Sequence, residues 1–247
     1  MKFKDLTRLL KQFDYVVGID EVGRGCIAGP MLVCAVIVDP SIVIEGVKDS
    51  KLLSPGKREK LLPEITKRVY DIGVGFVSNK EIDSFGIGIA LRIAILKSLI
   101  NLKFLPRLII TDYVDIKSKR FEDFLLARIL PKEVLGKYLD IYSKLKKFDG
   151  KVSEDGFSYY LPIKKADRYV HANSIASVVA KVLRDRYMRH VSVNYPEYRL
   201  DKNKGYCTRD HTFAIKKYGF SEIHRTSFVL KKLGNSRELF EDIQKVS

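Results

Sequence analysis

Cysteine is scarce in this chain. Cys26, Cys34 and Cys207 are the only three among 247 residues. Their odd number and their spacing, unlike any zinc motif, argue against a disulfide framework and a structural zinc site and predict free thiols in a reducing compartment. Long apolar runs are also missing, the longest being too short and too charged at their edges to span a bilayer. Lys2, Lys4, Asp5, Arg8 and Lys11 interrupt the apolar core that a secretion signal needs. There is no internal repeat and no low-complexity linker. Negative charge is in deficit, with 30 Asp+Glu against 45 Lys+Arg and a net charge of +15. These absences predict a soluble, cytoplasmic protein without a membrane partner. The charge predicts a polyanionic partner, with lysine enrichment for solubility or heat tolerance as the competing source.

What is present includes 46% hydrophobic residues, enough for an ordinary globular core. Residues 15–20 and 31–38 read as two strands rich in β-branched side chains, most simply a hairpin-like pair. Ser54-Pro55 joins a cap residue to a first-turn proline, and Leu61, Leu62, Ile65 and Val69 follow at helical spacing over 57–70. Further strands are expected at 72–77, 107–111 and 159–163, and helices at about 89–102 and 121–130. Residues 131–158 are lysine-rich and carry no clear period. Over 172–188, Ile175, Val178, Val179, Val182 and Leu183 share one helix face. Residues 194–207 read as a loop, with short helices near 209–218 and 235–244. Strands followed by strands alternating with helices predict an α/β sheet covered by helices. The expected division is a catalytic domain over 1–190 and a helical C-terminal extension over 191–247 that contributes to substrate binding.

The densest chemistry lies in Gly-Ile-Asp-Glu-Val-Gly-Arg-Gly at 18–25. Neighbouring strand residues point to opposite faces, so Asp20 and Glu21 reach one ion only where the strand ends or bends, and Gly23 and Gly25 supply such a break. Asp112 stands at the end of its strand, and Asp167 just before the helix at 172–188. Four carboxylates form an all-oxygen donor set suited to Mg²⁺ or Mn²⁺ and can balance two such ions. For Asp167, capping of a helix dipole competes with metal binding. Gly23-Arg24-Gly25 lacks the full Gly-x-x-x-x-Gly-Lys pattern, so it is a weak phosphate loop. A non-catalytic nucleic-acid-binding protein would explain the charge but not the carboxylates, which repel phosphate unless metals intervene.

Taken together, the segments resemble the ribonuclease H type 2, or ribonuclease HII, family. The likeness rests on 18–25, Lys-Asp-Ser-Lys-Leu-Leu at 48–53, Lys-Ala-Asp at 165–167 and Ser-Val-Val-Ala-Lys-Val-Leu-Arg-Asp at 177–185. It continues through Lys-Gly-Tyr-Cys-Thr at 204–208 and Ile-His-Arg-Thr-Ser-Phe at 223–228. The order holds from about residue 14 to 230, and the last two segments look like the bacterial branch. The resemblance implies a ribonuclease H-like mixed β-sheet flanked by helices, with Asp20, Glu21, Asp112 and Asp167 as catalytic carboxylates holding two Mg²⁺ or Mn²⁺ ions. It implies cleavage on the 5′ side of a ribonucleotide, leaving a 3′-hydroxyl and a 5′-phosphate. The implied substrates are RNA–DNA hybrids and single ribonucleotides embedded in duplex DNA, and the enzyme is expected to be a monomer.

By the same resemblance, the Gly23, Arg24 and Gly25 backbone reads the 2′-hydroxyl. Tyr206 stacks on the sugar at the RNA-to-DNA junction, and Lys51, Lys181 and Arg184 lie near the nucleic-acid path, although Arg184 reads equally as a structural partner of Asp185. His171 and His211 are not expected as ligands, and His224 receives no catalytic role. The chain departs from the family pattern in three places. Val22 replaces the usual alanine. Thr-Asp-Tyr-Val-Asp at 111–115 stands where Val-Asp-Gly is usual, which makes Asp115 a rival of Asp112. Residues 116–160 are longer than the usual connection, as either a basic arm or a surface elaboration.

Overall fold

Period-two alternation in the strands sorts their side chains between two cores. A computed structural model describes residues 3–47, 53–127, 129–153 and 155–228. Helix α1 (Phe3–Leu10) precedes β1 (Val16–Val22) and β2 (Met31–Val38); then come α2 (Pro55–Arg68), β3 (Asp71–Val77), α3 (Asn79–Phe85) and α4 (Ile87–Ile100). After them lie β4 (Leu108–Asp112), α5 (Lys119–Leu126), α6 (Lys132–Lys144), β5 (Leu145–Lys147) and β6 (Ser158–Ile163). The four-residue α7 (Ala166–Tyr169) leads into α8 (His171–Val191), which is followed by two 3₁₀ turns, α9 (Leu200–Asn203) and α10 (Arg209–Tyr218). The expected helix at 235–244 lies outside the described residues.

The strands form one mixed sheet in the order β3-β2-β1-β4-β6-β5. β1, β2 and β3 are antiparallel, whereas β1–β4, β4–β6 and β6–β5 are parallel. Val17 and Ile19 of β1 join Ile109 of β4 in the core under α4, α5 and α6. Val16 and Val22 join Leu108 and Ile110 in the core under α8. Burial of these two aliphatic layers supplies the main driving force, at about 25 cal/mol per Å² of apolar surface. Gly18 lets α8 approach, because a Cβ there would collide with the backbone of Ala172 and Asn173.

Residues 116–160 are part of this architecture: α5 and α6 cover one core, and β5 adds the sixth strand. Their weak sequence period has a local cause, since only Leu135 and Tyr138 of α6 are buried. Residues 194–207 contain 3₁₀ turns and α9 rather than plain loop. A third core, with Ile27, Met188, Tyr198, Leu200, Ala214, Ile215 and Ile223, ties this region to the connection between β1 and β2. None of the described helices is long and apolar enough to cross a membrane.

Candidate active site

The pairing of β1 decides where its carboxylates stand. Its parallel ladder with β4 runs from Val16 to Gly18, whereas its antiparallel ladder with β2 continues through Asp20 and Glu21 to Val22. The strand therefore does not break at the acidic pair, as the glycines had led us to expect; it loses one neighbour there and bends only afterwards. Asp20 follows Gly18 by two residues, and Asp112 follows its partner Ile110 by two, so both aspartates lie at the carboxyl ends of adjacent parallel strands. Asp20 shares the face of Val16 and Val22 and lies against α8, where Ser177 hydrogen-bonds to it. Glu21 alternates to the other face, and Arg24 donates to its Oε1 at 3.5 Å.

Asp112 Oδ1 accepts the Lys165 amide at 2.7 Å and the Ala166 amide at 3.4 Å. It thereby fixes the start of α7, whose second residue is Asp167. Ser174 holds the same short helix from α8, its hydroxyl donating to the Asp167 carbonyl at 2.7 Å. The joint effect on Asp20 is large. Burial, followed by repulsion from Glu21 and, more weakly, from Asp167 and Asp112, pushes its carboxyl up to about 8, against the stabilising Ser177 bond. Burial also raises Glu21, with Arg24 opposing. Such mutual repulsion is relieved by a cation, and a wholly oxygen donor set suits a hard divalent ion. Among the described residues, no three acidic, histidine or cysteine side chains form a finished metal cage.

Asp115 is engaged elsewhere. It accepts the Tyr160 hydroxyl at 2.6 Å and Lys147 Nζ at 3.0 Å, and these partners hold its carboxyl below the usual range despite partial burial. Tyr113, between the rivals, adopts φ 52°. That left-handed conformation is the one glycine takes most readily, so Tyr113 holds a backbone shape that glycine would adopt with less strain.

The glycine loop is fastened from below by two buried arginines. Arg184 is fully enclosed and donates to the carbonyls of Pro30, Ala28 and Lys204 at 2.9, 3.2 and 2.8 Å. Its guanidinium is spent on backbone, with Cζ 5.9 Å from the Tyr206 ring centroid, so it holds the loops together rather than offering a free cation. Nor does it pair with Asp185, which instead binds Lys181 at 2.8 Å and Arg58 at 3.4 Å. Arg225 donates to Gly29 and Arg24 carbonyls at 2.8 and 3.3 Å. Gly205 accepts the Ile27 and Ala28 amides, so the segment carrying Tyr206 is sewn to the segment carrying Gly23, Arg24 and Gly25.

The Tyr206 ring is part-exposed, with Lys181 Nζ 5.5 Å from its centroid. A cleft beside it is lined by Arg58, Lys181, Asp185, Lys202 and Lys204. Lys51 lies outside the described residues. Sequence reasoning missed Asn173, a fully buried residue of α8 whose amide donates to the carbonyls of Ile19 at 2.8 Å and Ile110 at 3.0 Å. The available signal was an amide in the first turn of α8, just before its apolar stripe begins at Ile175.

Two aspartates on neighbouring parallel strands, with a third on the helix that one of them fixes, place the chain among the ribonuclease H-like endonucleases. The family model described as Ribonuclease HII matches residues 17–136 and 125–231. Ribonuclease HII of Caldicellulosiruptor saccharolyticus is 36% identical over 222 residues, covering 90% of each chain. That of Thermotoga maritima is 36% identical over 235 residues, covering 94% of this chain and 82% of its own. The crystal structure of ribonuclease H2 from Pyrococcus horikoshii OT3 superposes with a TM-score of 0.62 at 27% identity, over 94% of this chain and 99% of that one. Bst-RNase HIII in complex with Mn²⁺ shares the fold at 17% identity, with a TM-score of 0.53 over 96% and 73%. The chain belongs to the ribonuclease HII family. It is accordingly an endoribonuclease, with ribonuclease H activity on RNA–DNA.

Proposed function

We propose that the enzyme hydrolyses the phosphodiester 5′ to a ribonucleotide, both in RNA–DNA hybrids and at a single ribonucleotide embedded in duplex DNA, leaving a 3′-hydroxyl and a 5′-phosphate. The observation that carries this reading is the raised Asp20 carboxyl, surrounded by Glu21, Asp112 and Asp167 and one turn of chain from an exposed Gly25. Asp20, Glu21, Asp112 and Asp167 hold two divalent cations, Mg²⁺ or Mn²⁺. When bound, such a pair lowers the pKa of an attacking water and offsets the charge that develops on the phosphate. Asp112 and Ser174 orient α7, Asn173 sets the spacing of the two strand ends, and Ser177 steadies Asp20.

Gly23, Arg24 and Gly25 read the 2′-hydroxyl through the backbone, and Tyr206 stacks on the following sugar. Lys181 and the cleft beside it neutralise phosphate, a role we extend to Lys51. Residues 1–190 carry the chemistry, and residues 191–247 complete the substrate surface. The enzyme works as a cytoplasmic monomer. Incubation with a DNA duplex bearing one ribonucleotide, in Mg²⁺ or in Mn²⁺, gives a nick 5′ to that ribonucleotide. Cleavage of a long hybrid without any nick in the single-ribonucleotide duplex, under both metals, would refute the finer specificity. Asp112→Asn abolishes the nick and Asp115→Asn keeps it; the reverse result reassigns the third ligand.

A further inference from the structure

A pair of buried histidines lies behind Tyr206 and outside the carboxylate site. His211, near the start of α10, is 0% exposed and His224 2% exposed, and their Nε2 atoms are 3.1 Å apart. In a neutral pair the shorter contacts select one arrangement of protons, with the Ser221 carbonyl, 3.3 Å from His224 Nδ1, as the second partner on that side. The Ser221 amide donates to His224 Nδ1 at 3.0 Å, so that nitrogen carries no hydrogen. A neutral His224 then carries its proton on Nε2 and donates it to His211 Nε2. His211 in turn keeps its proton on Nδ1, which lies 2.9 Å from the Tyr206 carbonyl. A second proton on His211 sets two N–H groups face to face, and one on His224 Nδ1 exchanges the Ser221 amide for the Ser221 carbonyl, 3.3 Å away.

The surroundings favour the neutral pair. Burial holds both rings below the ordinary histidine range, and His224, which also feels His211, falls to about 4. The Tyr198 ring packs 4.7 Å from His224 and 6.3 Å from His211, and Phe220 closes the other side at 5.9 Å. Among charged neighbours, Glu197 acts on Tyr198, Asp210 pairs with Arg199 at 2.9 Å, and Arg225 faces the Gly29 and Arg24 carbonyls. Tyr206 itself follows Lys204 and Gly205, both left-handed at φ 52° and 80°. The near side of the bend is anchored by the Tyr206 amide, which donates to the Asn203 carbonyl at 2.9 Å, and the direction of the Tyr206 carbonyl is fixed from the far side. The His211 bond supplies that fixing, together with the Thr208 amide, which donates to the same carbonyl at 2.9 Å.

We propose that His211 and His224 form a neutral two-ring hydrogen-bond relay that positions Tyr206 against the substrate sugar. The relay rests on the reading of Tyr206 given above. It makes both histidines positioning residues and links segment 220–225 to substrate binding without any contact between those residues and the substrate.

Two measurements on the full chain test it. In ¹⁵N-histidine NMR spectra, His211 appears as the Nδ1–H tautomer and His224 as the Nε2–H tautomer, both still neutral at about pH 5.5. Swapped tautomers, or either ring titrating at the ordinary histidine value, would overturn the relay. In single-ribonucleotide cleavage, His211→Phe lowers kcat/KM about tenfold and has no further effect when Tyr206→Ala is already present. His211→Asn, whose amide nitrogen takes the place of Nδ1, recovers most of the loss. Additive losses in the double variant overturn the relay alone, whereas full activity in Tyr206→Ala removes the reading of Tyr206 and the relay with it.

Discussion

Gly23 and Gly25 are two residues apart and are glycines for different reasons. At Gly23 φ is 87°, and a Cβ would strike the Arg184 side chain and the Pro30 carbonyl. Gly25 is exposed, has no positive φ, and leaves open space where a Cβ would stand. The fold therefore demands the first glycine and not the second. A bare backbone at 25 is instead what direct contact with a ribose requires. Gly25→Ala should keep stability within about 0.5 kcal/mol of wild type while sharply reducing cleavage at a single ribonucleotide. Gly23→Ala should cost about 2 kcal/mol or more. Thermal melts and kcat/KM on one duplex separate the two, and wild-type cleavage by Gly25→Ala would remove its reading role. The glycines were legible in sequence, but their division of labour was not, because the atoms that crowd Gly23 come from Pro30 and from the distant Arg184. Asp112 was preferred to Asp115 for its place at the end of the strand, but what occupies Asp115 was not legible, because Tyr160 lies 45 residues away.

Among the elements, the runs of β-branched residues announced β1 and β2, and the apolar stripe announced α8. The register that brings Asp20 level with Asp112 is a tertiary fact, and so is the pin that keeps it. Asn173 bridges the carbonyls of Ile19 and Ile110 near the point where β1 leaves β4. Those carbonyls sit one residue before Asp20 and two before Asp112, so the bridge sets the spacing of the carboxylates without touching them. Asn173→Leu removes both donors and leaves two buried carbonyls to find other partners, at a cost of about 2 kcal/mol. Because Asp20 and Asp112 then lose their common reference, kcat should fall more than KM rises. A variant that melts lower but keeps wild-type kcat would make Asn173 a purely structural residue. Arg184 shows the opposite failure of reading. Its place among the polar positions of α8 suggested a surface cation, but the 28–30 loop and Lys204 fold over it and claim its donors.

At the scale of the whole molecule, a chain of net charge +15 sets Asp20 within the field of Glu21, Asp112 and Asp167, close to the loop at 23–25. Basic surface draws a polyanion in, while the notch repels phosphate and itself until cations enter. Such a site is held against the stability of the metal-free fold. Burial and the neighbouring Glu21 push the Asp20 carboxyl from 3.8 up to about 8, so its contribution is fully present below the lower value and is lost progressively as pH rises toward 8. His224 acts in the opposite sense. Lowered from 6.5 to about 4, it contributes fully above 6.5 and loses that contribution as pH falls toward 4. In EDTA, therefore, the two slopes oppose each other between about pH 4 and 6.5, and above pH 6.5 the decline due to Asp20 stands alone. Asp20→Asn replaces a carboxyl that the folded protein ionises only at a cost, and should remove the decline above about pH 6.5, melting roughly 3–6 °C above wild type near neutral pH. Saturating Mg²⁺ or Mn²⁺ should raise the wild type and close much of that gap, because the cations bind the folded carboxylates and offset their repulsion. A metal-free Asp20→Asn that melts at or below wild type across this range would mean that the carboxylates are not in conflict, and the strongest physical argument for a cation at this site would go with it.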